Sequence, residues 1–98
     1  MVLPASPAAP ATPVALVVNA DEFGLSESIS RGILLAHREG IVTSTSLLGN
    51  CADLPAQVAL LASAPGLGVG LHLTLMQGRP IANPGTIRSL IDDKCGDV

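Results

Sequence analysis

Apolar and polar positions along the chain divide it into five segments whose periods alternate. Val14-Ala15-Leu16-Val17-Val18 is an unbroken, β-branched-rich apolar run within Pro13 to Asn19. Apolarity on both faces predicts a central parallel strand covered on both sides. Ser26 then suits a helix N-cap, with Glu27 placed favourably in the first turn. Ile29, Ile33 and Ala36 recur at helical spacing, and Gly40 after His37-Arg38-Glu39 marks the stop. Gly32 inside this helix costs up to ~1 kcal/mol relative to Ala, which predicts close packing against a neighbouring strand.

A second strand is predicted from Ile41 to Leu48, with Thr and Ser alternating through it, ending at Gly49-Asn50. Asp53 caps a second helix, and Pro55 is tolerated in its first turn. Leu54, Val58, Leu61 and Ala62 form its predicted buried stripe, and Pro65-Gly66 ends it. The third strand, Leu67 to Leu75, separates Val69, Leu71, Leu73 and Leu75 from Gly68, Gly70, His72 and Thr74. Beyond Gly78, Pro80 and Pro84 mark a loop, and Ile87 to Ile91 reads as a short helix.

Strand-helix-strand-helix-strand with short connections implies an α/β fold with a parallel sheet. All three strands then carry their C-terminal ends to one pole. Asp21 and Glu22 follow the first strand, Asn50 follows the second, and His72 lies late in the third. Two adjacent carboxylates at the end of a buried strand are costly to desolvate, and α/β enzymes keep their chemistry there. Alone, the two acids also suit a solvated turn; their convergence with Asn50 and His72 favours a site.

An imidazole with carboxylates suits a divalent ion, zinc or magnesium for example. A bound ion polarises a carbonyl and acidifies water, and the second carboxylate serves as general base. Asn50 is the candidate for hydrogen bonding to substrate. His37 reads as a favourable charge at a helix end. Gly66-Leu-Gly68-Val-Gly70 lies within a strand and lacks the third glycine of a dinucleotide loop. Thr43-Ser-Thr-Ser46 has no nucleophile-elbow pattern, so strand packing explains it better.

Composition narrows the class further. Ninety-eight residues, 48% apolar and 13% charged, make at most one small globular domain whose only aromatic residue is Phe23. A net charge of -3 supplies no basic patch for nucleic acid. No apolar run approaches the ~20 residues of a membrane span. Cys51 and Cys95 lack metal-type spacing and read as free thiols of a reducing, cytoplasmic compartment. Met1 to Pro13, interrupted by prolines and without Lys or Arg, reads as a disordered leader rather than a secretory signal.

Three stretches stand in the order and spacing of a known family: Val17-Val-Asn-Ala-Asp-Glu-Phe-Gly-Leu25, Ala36-His-Arg-Glu-Gly-Ile-Val-Thr-Ser-Thr-Ser-Leu47 with Asn50, and Pro65-Gly-Leu-Gly-Val-Gly-Leu-His-Leu-Thr-Leu75 followed by Gly78-Arg-Pro80. From about Val14 to Pro80 the chain resembles the YdjC-like carbohydrate deacetylases, including the branch associated with hopanoid biosynthesis. The resemblance implies a TIM-like (β/α) barrel, a divalent metal, and hydrolysis of an acetamide on an amino sugar. By position, Asp21 matches the family's catalytic base and His72 its first metal histidine. Glu22 stands where the family has a metal-binding Asp. Its extra methylene matters because metal sites tolerate only ~0.2 Å of distance error.

The resemblance also places a further metal histidine, and most of the barrel, downstream of Val98. Three strands cannot close a barrel that takes roughly 200 or more residues. Residues 14–98 therefore read as the N-terminal portion of a deacetylase domain, inactive by itself. Its open strand edge and apolar faces favour self-association. One rival reading is a non-catalytic remnant that associates with another subunit. Another is a small flavodoxin-like domain with a phosphate ligand, against which stands the lack of a glycine-rich loop opening a helix.

Overall fold

A computed structural model describes residues 12–91. Strand β1 spans Asn19–Phe23, helix α1 Glu27–Glu39, β2 Ser44–Leu48, α2 Leu54–Ala62 and β3 Gly68–His72. Short 3-10 turns at Pro84–Thr86 and Arg88–Leu90 follow, the second standing where a short helix was expected. The strands are parallel in the order β1-β2-β3, so the α/β strand-helix-strand-helix-strand unit is present. Both expected caps form: Ser26 accepts from the Ile29 N–H and Asp53 from the Ala56 N–H, each at 3.2 Å. No helix among the described residues is long and apolar enough to cross a membrane. Most of the expected leader, and Cys95, lie outside the described residues.

The sheet begins later than the apolar run predicts. Val14, Leu16 and Val17 are 84%, 75% and 73% exposed, and β1 starts at Asn19. Pairing to β2 reaches back only as far as Val18, whose carbonyl accepts from the Thr43 and Ser44 N–H groups at 2.9 and 3.2 Å. β2, not β1, is central in the described sheet. The apolar run needs cover on two faces, whereas the helices here pack on one.

That helix-covered face holds the core. Phe23, Ile33, Leu34, Ala64 and Leu67 cluster there, joined by Ala20, Leu47, Leu60 and Leu61. The strand register puts Asn19, Ser44, Ser46, Leu48, Gly68, Gly70 and His72 on the opposite face. Leu48 apart, that face is polar or glycine along all three strands, while Thr45 lies on the helix side and donates its hydroxyl to the Ala20 carbonyl. On the helix side of β3, Val69 and Leu71 remain more than half exposed, which agrees with the expected open apolar surface.

Both helices bury a stripe rotated from the expected one. Helix α1 buries Ser30, Ile33 and Leu34, leaving Ile29 exposed. Helix α2 turns Gln57, Leu60 and Leu61 inward and leaves Leu54, Val58 and Ala62 exposed. A buried hydrogen-bond chain accounts for the rotation: the Gly24 N–H donates to Ser30 Oγ at 2.9 Å, and that hydroxyl donates to Gln57 Oε1 at 2.6 Å. Polar groups that satisfy one another inside can displace apolar ones from the stripe.

Among the described residues, nothing packs against Gly32. A Cβ built there meets nothing within 4 Å, so the expectation of a close strand neighbour is wrong. Its mid-helix glycine penalty is therefore uncompensated, and Gly32→Ala is expected to raise stability by about 0.5–1 kcal/mol. A thermal melt reads this as an increased Tm.

Candidate active site

Asp21 is the third residue of β1, inside the strand rather than after it. Its Oδ1 accepts from Asn19 Nδ2 at 2.8 Å, and the same nitrogen donates to Ser46 Oγ at 3.0 Å. Ser44 Oγ donates to Asn19 Oδ1 at 2.7 Å. Asp21 thus belongs to the polar face, away from the helices. Sequence reasoning missed Asn19, Ser44 and Ser46 as site residues. The usable signal was their shared parity with His72 on the third strand.

Glu22 sits in a β-bulge. Ala20 pairs with Thr45 and Phe23 with Leu47, so three steps along β1 oppose two along β2. The extra residue takes φ +67°, a left-handed conformation that costs a side-chain-bearing residue roughly 1–2 kcal/mol. The bulge returns Phe23 to the core side, and a turn follows in which the Leu25 N–H donates to the Glu22 carbonyl at 3.1 Å. Gly24 completes it at φ +96°, where an added Cβ would lie 3.0 Å from Cys51 Cβ. Strain of this kind gathers where a site must hold a side chain in a fixed direction. Glu22→Gly is accordingly expected to stabilise the fold by about 1 kcal/mol, the released strain less the entropy of the new glycine. Urea titration at unchanged m-value is the check.

Asn50 has another task than the one expected of it alone. Its Nδ2 donates to the Gln77 carbonyl at 2.7 Å and the Arg79 carbonyl at 3.2 Å, clamping the loop after β3 to the end of β2. Gly78 makes that loop possible at φ +76°. The amide hydrogens are committed to the protein, which leaves Oδ1 for a substrate.

His72 ends β3, and among the described residues its buried Nδ1 has no hydrogen-bond partner. A Cβ added at Gly70, on the same face, would meet nothing closer than the Thr45 carbonyl at 4.0 Å, so space adjoins the ring. A cavity of about 230 Å³ opens beside it, lined by His72, Asn50, Thr74 and several apolar side chains. His37, by contrast, donates from Nδ1 to the Val42 carbonyl at 2.7 Å, which fits its reading as a helix-end residue.

Asp21 and His72 share a pole and a face but flank β2, so their backbones lie roughly 10 Å apart across two strand spacings. Among the described residues, no group of three or more His, Cys, Asp or Glu is assembled to hold a metal. An imidazole nitrogen without other use fits one arm of a divalent site. A catalytic zinc takes three protein ligands, and Glu22 and His72 supply fewer.

A family model described as YdjC-like protein matches residues 15–95. The chain belongs to the YdjC-like family. This YdjC-like chain is 34% identical over 79 residues to a carbohydrate deacetylase of Thermoanaerobacter pseudethanolicus, covering 81% of the chain and 32% of the relative. It is 49% identical over 67 residues to a chitooligosaccharide deacetylase of Proteus mirabilis, covering 68% and 26%. Among solved structures it is similar to an Enterococcus faecalis V583 protein described as a candidate for cellobiose-phosphate cleavage. There the TM-score is 0.72 at 40% identity, covering 80% of this chain and 31% of the other. The chain therefore spans about a third or less of the length of these relatives.

Proposed function

We propose that residues 14–98 form the N-terminal portion of a metal-dependent, cytoplasmic carbohydrate deacetylase built on a TIM-like (β/α) barrel. Its reaction is hydrolysis of the N-acetyl group of an amino sugar in a glycan or glycolipid. The observation that carries the reading is the polar sheet face on which Asp21 and the unpartnered Nδ1 of His72 meet one pole. Asp21 is the general base: Asn19 occupies its Oδ1, and Oδ2, without a protein hydrogen bond among the described residues, receives the proton from water. Glu22 and His72 hold a divalent ion, zinc or magnesium, with a further ligand from the rest of the domain. When bound, the ion supplies Lewis acidity to the amide carbonyl. Asn50 offers Oδ1 to the sugar.

The chain alone is expected to turn over little or no substrate. The test grafts residues 15–95 into the matching segment of the Proteus mirabilis chitooligosaccharide deacetylase and measures acetate released from an N-acetylated chitooligosaccharide. Turnover supports the proposal, and a folded graft that releases no acetate counts against it. The exposed Val69 and Leu71 favour a second reading, a non-catalytic piece that associates with another subunit. A stable oligomer on size-exclusion chromatography that binds no divalent metal would favour that reading instead.

A further inference from the structure

We infer that Asn19 is a positioning residue that fixes the side chain of Asp21; its catalytic significance rests on the reading of Asp21 as base. Asn is depleted from strands, yet Asn19 opens β1, where a β-branched residue would satisfy local preference better. Departures of this kind mark sites where another demand prevails. Although Asn19 is exposed, its amide is fully engaged. Nδ2 divides its two hydrogens between Asp21 Oδ1 and Ser46 Oγ, and Oδ1 accepts from Ser44 Oγ.

The chemistry of the partners sets the orientation of this amide. An ionised carboxylate only accepts, so the NH2 end must face Asp21. The oxygen then faces Ser44, whose hydroxyl can donate. Ser44 and Ser46 both belong to β2, so the central strand fixes the amide and the amide fixes the carboxylate. The bond to Asp21 is charge-assisted, the stronger class of neutral-donor contact. It holds one carboxylate oxygen and thereby restricts the direction of the other. Without it, an exposed Asp beside the bulge of β1 samples several staggered wells.

The test is the Asp21 χ1 distribution, measured in the 98-residue chain by NMR three-bond couplings from backbone N and C′ to Cγ. The parent is expected to show one dominant rotamer, and in Asn19→Ala its population should fall to about half or less. A merely structural role, joining β1 to β2, would alter stability and leave the Asp21 rotamer in place. Ser44→Ala provides an independent variant: with the amide oxygen released, the dominant population should fall by a smaller amount. Circular dichroism establishes that each variant is folded, and if Asn19→Ala is not, Ser44→Ala decides. The inference is overturned if Asp21 is already averaged in the parent, or keeps its full population in the deciding variant. Because the couplings require neither metal nor substrate, an inactive graft would refute the proposed function while leaving this result intact.

Discussion

Asp21→Asn, introduced into the grafted deacetylase, is expected to lower kcat by roughly a hundred- to ten-thousand-fold, the usual contribution of a positioned general base. The substitution keeps the size of the side chain and can retain an acceptor oxygen opposite Asn19 Nδ2, now 2.8 Å from Asp21 Oδ1. What is lost is the ability to take a proton. KM should therefore change little while kcat and kcat/KM fall together, the pattern of an interaction made only in the transition state. Steady-state kinetics on an N-acetylated chitooligosaccharide provide the check. A fall smaller than about tenfold would assign the base elsewhere.

Phe23→Ala is expected to cost about 3–5 kcal/mol, the range for emptying a large aromatic site in a core. Phe23 is fully buried and is the only aromatic residue of the chain. It packs with Ile33, Leu34, Ala64 and Leu67, joining β1 to the region where both helices meet. Domains hold together by only about 5–15 kcal/mol, so this one truncation approaches the whole margin. Urea denaturation should show a large fall in midpoint, or no folded baseline at all, with Phe23→Leu recovering much of the loss. A midpoint shift worth less than about 1 kcal/mol would mean that the cluster is not the core of this fold.

The order of elements was legible because each carries its own period: the Ser26 and Asp53 caps and the alternation through β2 and β3 are local signals. The register of β1 was not. Val14 to Val18 has the stronger strand composition, and the bulge that centres the strand on Asn19–Phe23 depends on pairing with residues 44 to 47. The helix stripes were misread for a related reason. Nothing in the local pattern indicates that Ser30 and Gln57, twenty-seven positions apart, satisfy each other inside. At the site, the shared pole of Asp21 and His72 followed from parallel topology alone. The clamp made by Asn50 did not, because its partners, the carbonyls of Gln77 and Arg79, come from a distant loop. Asn19 was legible in principle, since Asn19 and Asp21, Ser44 and Ser46, and Gly70 and His72 repeat one parity.

Whether His72 and Glu22 are ligands is measured most directly in the grafted deacetylase, where the rest of the domain supplies the further ligand. Zinc titration by calorimetry, in a Cys51→Ser, Cys95→Ser background that removes competing thiolates, compares the unsubstituted graft with His72→Ala and Glu22→Gln. One site is expected in the unsubstituted graft, weakened at least about tenfold, or ~1.4 kcal/mol, in both variants. Equal affinity and stoichiometry in all three proteins would contradict the account.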